Sequence, residues 1–402
     1  MNFYKILTSR KMIVSFLMGF SCGLPLLLTI SVLQAWMKDE GVDLKTIGLF
    51  SLVGLPYTLK FLWAPVFDRF TLPFLGRRKG WLFVSQILLM ISIISLGFTQ
   101  PQISPLIVSI AAFFVTFFSA SQDIVVDAYR REDLNDNELG LGSSLYIAGY
   151  RTGMLLASGG GLILADHIPY SSVYLILGLA MLPGILTTKF SPEPVVNEKT
   201  PINFKESVVE PLVEYFKRSN SIKILLFIFF YKIGDTMAAA LTTPFYKEIG
   251  FSNTEIGSIV KLFGFWATLG GGFLGGFILF KMKIKKALFF FGILQMVSTA
   301  GFSILYLIGY NITGLAAVIG FENITSGMGT AAYAAFMASI TNKKFTATQY
   351  ALLSSLMGVP RVVASAPSGY IIDATGWFYY FIICTFIAIP GLLMISWIKE
   401  EK

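Results

Sequence analysis

Gly41-Val-Asp-Leu-Lys-Thr-Ile-Gly48 and Gly250-Phe-Ser-Asn-Thr-Glu-Ile-Gly257 lie about half a chain apart, and each leads into a long apolar segment. A second correspondence falls at nearly the same offset: Ser143-Ser144-Leu145 with Arg151 after it, and Ser354-Ser355-Leu356 with Arg361 after it. Two matches at one offset argue for a duplicated chain. The segments they introduce belong to a set of twelve, each near the ~20 apolar residues that a helix needs to cross hydrocarbon. Six start near Met12, Thr46, Trp81, Ile103, Leu139 and Tyr170, and six near Ser221, Thr254, Ala287, Ile312, Thr348 and Gly376. The expected fold is all-α and integral to the membrane, with twelve transmembrane helices in two pseudo-symmetric six-helix halves, residues 1–190 and 221–402. The polar stretch 191–220 reads as the linker, because Pro192, Pro194 and Pro201 break helix there. Parallel halves of this kind are what transporters rock about a central site.

Composition agrees. The 402 residues are 55% hydrophobic and 13% charged, with a mean hydropathy of +0.70, whereas a soluble domain carries about a quarter charged residues. So few charges cannot cover a water-facing surface. The run from Met12 to Trp36 is longer than a signal-peptide core and has no small-residue cleavage site, so it reads as a retained first helix. The net charge of +8 sits in short loops beside apolar spans rather than on one stripe, which excludes nucleic acid as its purpose. Cys22 and Cys384 both fall in apolar segments, leaving no disulfide framework, metal site or cofactor to expect.

The loops sort by charge. Lys5, Arg10 and Lys11, then Arg69, Arg77, Arg78 and Lys79, then Arg130 and Arg131, and then the linker fall on one side. Lys281, Lys283, Lys285 and Lys286, then Lys343 and Lys344, and finally Lys399 and Lys402 continue that side. The other side offers Lys38, Lys45 and Lys247. Since cytoplasmic loops retain Lys and Arg during insertion, both termini are expected in the cytoplasm.

A charge near the centre of a membrane helix costs roughly 2.5 to 3.5 kcal/mol on insertion scales, so each one kept there needs a partner or a wet cavity. Arg151, Lys232, Asp235, Glu322 and Arg361 fall near mid-depth, and Asp123 and Asp127 lower on the fourth helix. Asp123 and Asp127 are four residues apart and share a helix face, which suits a proton site but equally a capped helix end beside Arg130 and Arg131. Lys232 and Asp235, at i and i+3, either neutralise each other or serve traffic. Arg151 and Arg361 suit a carboxylate held by two parallel hydrogen bonds, or an internal pair with Asp123 or Glu322. Lys60 has a stem long enough to snorkel to the interface, as has Lys261. The glycines at 159–161, 270–272, 275 and 276 read as helix-packing positions, not as a phosphate loop. Most of the aromatic residues, among them Phe227, Phe229, Phe230 and Tyr231, are expected to face lipid or neighbouring helices, with a minority free to stack on a sugar.

Asp68-Arg69 followed by Gly76-Arg77-Arg78-Lys79-Gly80 resembles the cytoplasmic loop signature of the major facilitator superfamily. The resemblance implies a cytoplasmic gate at Asp68, Arg69, Arg77 and Arg78. Phe70 to Leu75 interrupt the usual spacing, and the equivalent loop of the second half, Phe280 to Lys286, keeps basic charge without the Asp. Longer stretches are similar to the anhydromuropeptide permease family: GVDLKTIGLFSLVGLPYTLKFLWAPVFDR (Gly41 to Arg69), SASQDIVVDAY (Ser119 to Tyr129) and GYRTGM (Gly149 to Met154). Tyr231 to Asp235, FFFGILQ (Phe289 to Gln295), Phe321 to Asn323 with Gly327 to Thr330, and FTATQYALLS (Phe345 to Ser354) extend it over nearly the whole chain. That resemblance implies proton-driven import of 1,6-anhydro-muropeptides from periplasm to cytoplasm, through a protein of the bacterial inner membrane that works as a monomer. Longer members carry further helices after the twelfth, whereas this sequence stops at Lys402; the twelve-helix core is expected to suffice.

On this reading the peptide carboxylates of the cargo meet Arg151 and Arg361, with Lys232 and Lys60 as further cations. Its sugar meets Gln34, Gln122, Gln295 and Asn323. Protons use Asp123 first, with Glu322, Asp235 and Asp127 as the other carboxylates. The rivals are a carrier of another organic anion, such as an acyl-coenzyme A or siderophore-like solute, and a receptor that binds wall fragments without moving them. A membrane enzyme is disfavoured, because His167, the one histidine, falls in an outer loop.

Overall fold

The computed structural model describes residues 9–134, 136–194, 217, 221–279, 281–340 and 358–397. Most of the linker, the start of the eleventh helix at Thr348, the Ser354–Leu356 match, and Lys5, Lys343, Lys344, Lys399 and Lys402 lie outside the described residues. Regular structure among the described residues is helical throughout, as hydrocarbon demands of backbone that must satisfy its own hydrogen bonds. Twelve helical elements can be followed. They are α1 (Arg10–Asp39), α2 (44–69), α3 (Arg77–Leu96), α4 (Pro105–Asp133), α5 (136–165) and α6 (Tyr170–Phe190), then α7 (Ser221–Ile249), α8 (Asn253–Leu279), α9 (Ile284–Ile308), α10 (Ile312–Ile340), α11 (358–375) and α12 (377–397). Gly376, at φ 78°, makes the turn between the last two. Among the described residues, eight helical stretches meet the length and composition of a membrane span outright.

Several helices are interrupted where the sequence dictates. Pro25 inside α1 precedes a wide π-turn at Leu28–Val32, and further π-turns occupy Leu156–Gly160 in α5, Ile256–Phe263 in α8 and Pro360–Ala364 in α11. Pro56 and Pro65 divide α2 into short α and 3-10 pieces, since proline removes a donor and crowds the preceding turn. Large apolar side chains such as Phe98, Leu106 and Phe273 are more than two-thirds exposed, at 69%, 72% and 80%. A surface of that kind suits lipid and not water.

The chain forms two compact units. Unit 1 holds Met1–Val42, Val53–Thr200 and Ser252–Gly257; unit 2 holds Asp43–Leu52, Pro201–Phe251 and Ser258–Lys402. The last six residues of each repeated octapeptide, 43–48 and Ser252–Gly257, are therefore exchanged, grouping with the unit opposite to the bulk of their own helix.

Their residues do the same physical work in both copies. Gly41 and Gly250 hold φ of 78° and 109°, a region that favours glycine. The third residue caps the helix: Asp43 accepts from the Thr46 amide at 3.0 Å, and Ser252 accepts from the Glu255 amide at 3.1 Å while Glu255 accepts from the Ser252 amide at 2.8 Å. Those bonds from the Thr46 hydroxyl and amide hold the Asp43 carboxyl below its ordinary range. The last glycine permits contact. A Cβ on Gly48 would stand 3.0 Å from the Gly369 amide nitrogen, and one on Gly257 would stand 2.9 Å from the Gly159 carbonyl oxygen.

Unit 1 is knitted by α1 against α5. Gly19 and Gly23 on α1 press on the carbonyls of Tyr146 and Tyr150, and Gly149 and Gly153 on α5 press on those of Phe16 and Phe20. Two Gly-x-x-x-Gly pairs thus meet face to face, so that the backbones touch. In unit 2 the same device joins α8 to α10, where Gly271 and Gly275 meet backbone of Ile324 and Met328, and Gly327 meets the Thr268 carbonyl. Each unit also has an aromatic-aliphatic core, around Met18, Val126 and Tyr129 in unit 1 and around Phe227, Tyr231, Phe291 and Tyr333 in unit 2.

Gly153→Leu is expected to destabilise the protein by about 3 kcal/mol, the upper end of the overpacking range, because the Phe20 carbonyl leaves no room. Gly276→Ala, with no neighbouring atom within 4 Å of the new Cβ, is expected to be neutral. Thermal unfolding followed by size-exclusion chromatography in detergent distinguishes the two.

Candidate functional site

Among the described residues the candidate site residues gather chiefly in three clusters, two in unit 1 and one in unit 2. The first is built on α1, α2, α4 and α5. Asp123 is buried, and one of its carboxylate oxygens, Oδ1, has no hydrogen-bond partner. Cys22 of α1 lies beside Asp123 and Tyr146 of α5 and interacts with both. The charged groups acting on Asp123 are Lys60 of α2 and Asp127 one turn along α4. Asp127 is half-exposed and pairs with Arg130 at 3.2 Å, so the two aspartates share a helix face but not an environment. Gln122 next to Asp123 is fully buried. Its Oε1 accepts from the Ser21 hydroxyl at 3.0 Å, and its Nε2 donates to the Ser21 carbonyl at 3.0 Å, which ties α4 to α1. Arg151, between the glycines of the α1–α5 contact, makes no hydrogen bond or ion pair among the described residues. The cation beside Asp123 is Lys60, not an arginine.

The second cluster lies in unit 2 on α7, α9 and α10. Lys232 and Asp235 pair at 3.0 Å, as their i, i+3 spacing allows. Gln295 of α9 closes the ring, donating from Nε2 to Asp235 Oδ2 at 2.7 Å and accepting from Lys232 at 3.4 Å. Gly329 of α10 makes the space: a Cβ there would stand 2.8 Å from Gln295 Oε1. The Glu322 carboxylate on α10 acts electrostatically with Asp235 and Lys232, yet has no hydrogen bond or ion pair among the described residues. Asn323 beside it is committed, accepting from Thr268 at 2.8 Å and donating to the Ile319 carbonyl at 2.9 Å. A cleft of about 10 Å³ beside the ring is lined by Tyr231, Asp235, Gln295 and Thr299. Arg361 on α11 is exposed, again without a partner among the described residues. Gln34 is buried on α1.

The third cluster is at the foot of unit 1. Arg77 reaches Glu132 of α4 at 2.7 Å, and Arg78 reaches the same carboxylate at 2.7 Å while donating to the Phe67 carbonyl at 3.4 Å. Glu193, just after α6, accepts from the backbone amides of Arg78 and Lys79 at 2.7 and 3.1 Å, capping α3 from outside its own sequence. Gly76, at φ 96°, clears the way, since a Cβ there would stand 2.8 Å from that carboxyl carbon. Asp68 and Arg69 end α2; their side chains lie outside the described set. Glu132 thus holds the side chains of Arg77 and Arg78, and Glu193 holds the backbone of Arg78 and Lys79.

Sequence reasoning passed over Glu132, Glu193, Tyr146 and the role of Cys22 beside Asp123. No local pattern marks them, because each partner stands dozens of residues away.

Comparison with known proteins places the chain. The profile of the Major Facilitator Superfamily matches residues 12–364. The anhydromuropeptide permease of Escherichia coli K12 is 40% identical over 396 residues, covering 98% of this chain and 81% of that protein. The chain belongs to the major facilitator superfamily, with the anhydromuropeptide permeases. This superfamily member is also 34% identical to a putative transporter AmpG 1 of Rickettsia bellii, across 98% of this chain and 99% of that one. The crystal structure of the nucleoside transporter NupG superposes with a TM-score of 0.74 at 12% identity, covering 98% and 99% of the two chains. At that identity the likeness speaks to the fold, which is the twelve-helix, two-half architecture of the superfamily.

Glu132→Ala is expected to destabilise the protein by about 3 kcal/mol, because it leaves the guanidinium of Arg78, 6% exposed, without its carboxylate. Arg77→Ala, at a group 25% exposed, is expected to lose less than about 1 kcal/mol. Denaturation midpoints of the two variants in detergent check the order.

Proposed function

We propose that this protein is a proton-coupled importer of 1,6-anhydro-muropeptides, moving them from periplasm to cytoplasm through the bacterial inner membrane. It works as a monomer with both termini in the cytoplasm and performs transport, not catalysis. The observation that carries the cargo is 40% identity over 98% of the chain with a protein named for that cargo. The basic loops support this sidedness, since Lys and Arg stay in the cytoplasm on insertion.

The chemistry of the cargo, a sugar bearing peptide carboxylates, suits the groups left available. Arg151 and Arg361 are charged at membrane depth and have no internal partner among the described residues, so each guanidinium is open to a carboxylate. Gln34, Gln122, Gln295 and Asn323 are the polar groups proposed for the sugar, with Lys232 and Lys60 as further cations; Gln122 and Asn323 also hold helix contacts, and Gln295 and Lys232 also hold Asp235.

Asp123 is the first choice for the coupling proton. A carboxylate with an unpartnered buried oxygen gains by protonation, and the neutral acid holds Lys60 less strongly, freeing α2 to shift. Asp235 and Glu322 form the second choice, since a proton on either changes the charge of the Lys232 ring. Asp127, paired with Arg130, tunes Asp123 from one turn away. Asp68, Arg69, Arg77 and Arg78 act as the cytoplasmic gate. The membrane potential adds about 2.3 kcal/mol per charge per 100 mV.

Radiolabelled anhydromuropeptide, offered to energised proteoliposomes with and without a protonophore, is expected to accumulate only while the gradient stands. Folded, inserted protein that accumulates none would overturn the cargo; accumulation untouched by the protonophore would overturn the coupling.

A further inference from the structure

The basic loop ahead of α9 is the second-half counterpart of the gate loop ahead of α3, but its charge is handled differently. In unit 1, Arg77 and Arg78 find Glu132. In unit 2, Lys281, Lys283, Lys285 and Lys286 crowd the start of α9, whose first turn contains no acid. Lys281 rests on the Phe277 ring at 5.4 Å, and Lys285 and Lys286 form no ion pair among the described residues. Like charges so placed repel one another and the positive end of the helix.

Beside Lys285 and Lys286 runs a groove of about 420 Å³. Phe289 of α9 and Leu392, Leu393 and Ile395 of α12 form its apolar floor together with Ser396, and no acid is among the described residues that line it. Phe289 and Leu393 are 48% and 63% exposed, so the floor is open. An apolar trough with two un-neutralised ammonium groups along it is complementary to an amphiphile with an anionic head. A soluble phosphate would use the lysines and leave the trough empty. The flexible stems of lysine suit a headgroup at the edge of the hydrocarbon.

We propose that the α9–α12 groove is a binding site for an anionic phospholipid, with its phosphate on Lys285 and Lys286 and an acyl chain along Phe289 and Leu393. The lipid phosphate then supplies to unit 2 the negative charge that Glu132 supplies to unit 1.

Native mass spectrometry of the purified protein, after mild delipidation in an equimolar mixture of phosphatidylglycerol and phosphatidylcholine, tests this. The parent is expected to retain phosphatidylglycerol over phosphatidylcholine by about tenfold or more, at roughly fivefold per lysine. Lys285→Gln with Lys286→Gln is expected to abolish the preference, Lys285→Arg with Lys286→Arg to keep it, and Lys281→Gln to leave it unchanged. Phe289→Ala keeps both lysines and is expected to lower retention of either lipid, which provides an answer should the double glutamine variant not fold. Equal retention of the two lipids by the parent, an undiminished preference in the double glutamine variant, retention unmoved by Phe289→Ala, or displacement of the lipid by millimolar inorganic phosphate would each overturn the proposal.

Discussion

The contact of α1 with α5 is made backbone to backbone, and much of unit 1 depends on it. Gly19 and Gly23 meet the carbonyls of Tyr146 and Tyr150, while Gly149 and Gly153 meet those of Phe16 and Phe20. Lipid supplies no hydrophobic drive to press two apolar helices together, so close approach must come from shape. That approach sets Cys22 against both Tyr146 and Asp123, and it leaves Ser21 on the adjoining face to engage Gln122 of α4. A chain without those glycines would not bring Cys22 and Tyr146 together beside the buried Asp123.

The two units meet the burden of intramembrane charge in opposite ways. Unit 2 closes a ring, in which Lys232, Asp235 and Gln295 answer one another and Glu322 stands nearby. Unit 1 leaves a carboxylate oxygen of Asp123 unanswered in a buried place. Leaving a buried acceptor unmet costs on the order of 1 to 3 kcal/mol. On the proposed reading this difference assigns accumulation to unit 1 and gives the ring of unit 2 a supporting part.

The octapeptides at 41 and 250 were the most legible part of the chain, because each residue with a role follows a local rule. The first glycine needs a positive φ, the third residue caps, and the last glycine permits contact. Helix count followed from apolar length, and the Lys232–Asp235 pair from i, i+3 spacing. The same octapeptides hid their most unusual property, the exchange between units, because docking partners such as Gly369 and Gly159 carry no mark in the sequence around Gly48 or Gly257. The candidate site was legible as a set of charges and illegible as a set of pairs. Lys60, read as a snorkelling stem or a further cation for the cargo, acts electrostatically on Asp123; Gln122, read as a sugar contact, is tied to Ser21; and Arg77 and Arg78 rest on Glu132, far along the chain.

The most direct measurement is made on Asp123→Asn, comparing two activities of one proteoliposome preparation: exchange of labelled for unlabelled anhydromuropeptide at equal concentrations, and net accumulation under an imposed proton gradient. If Asp123 carries the coupling proton, exchange persists while gradient-driven accumulation is lost, since the helices still move but the driving ion has no seat. A variant that concentrates its cargo as well as the parent does would contradict this and move the proton to Asp235 or Glu322.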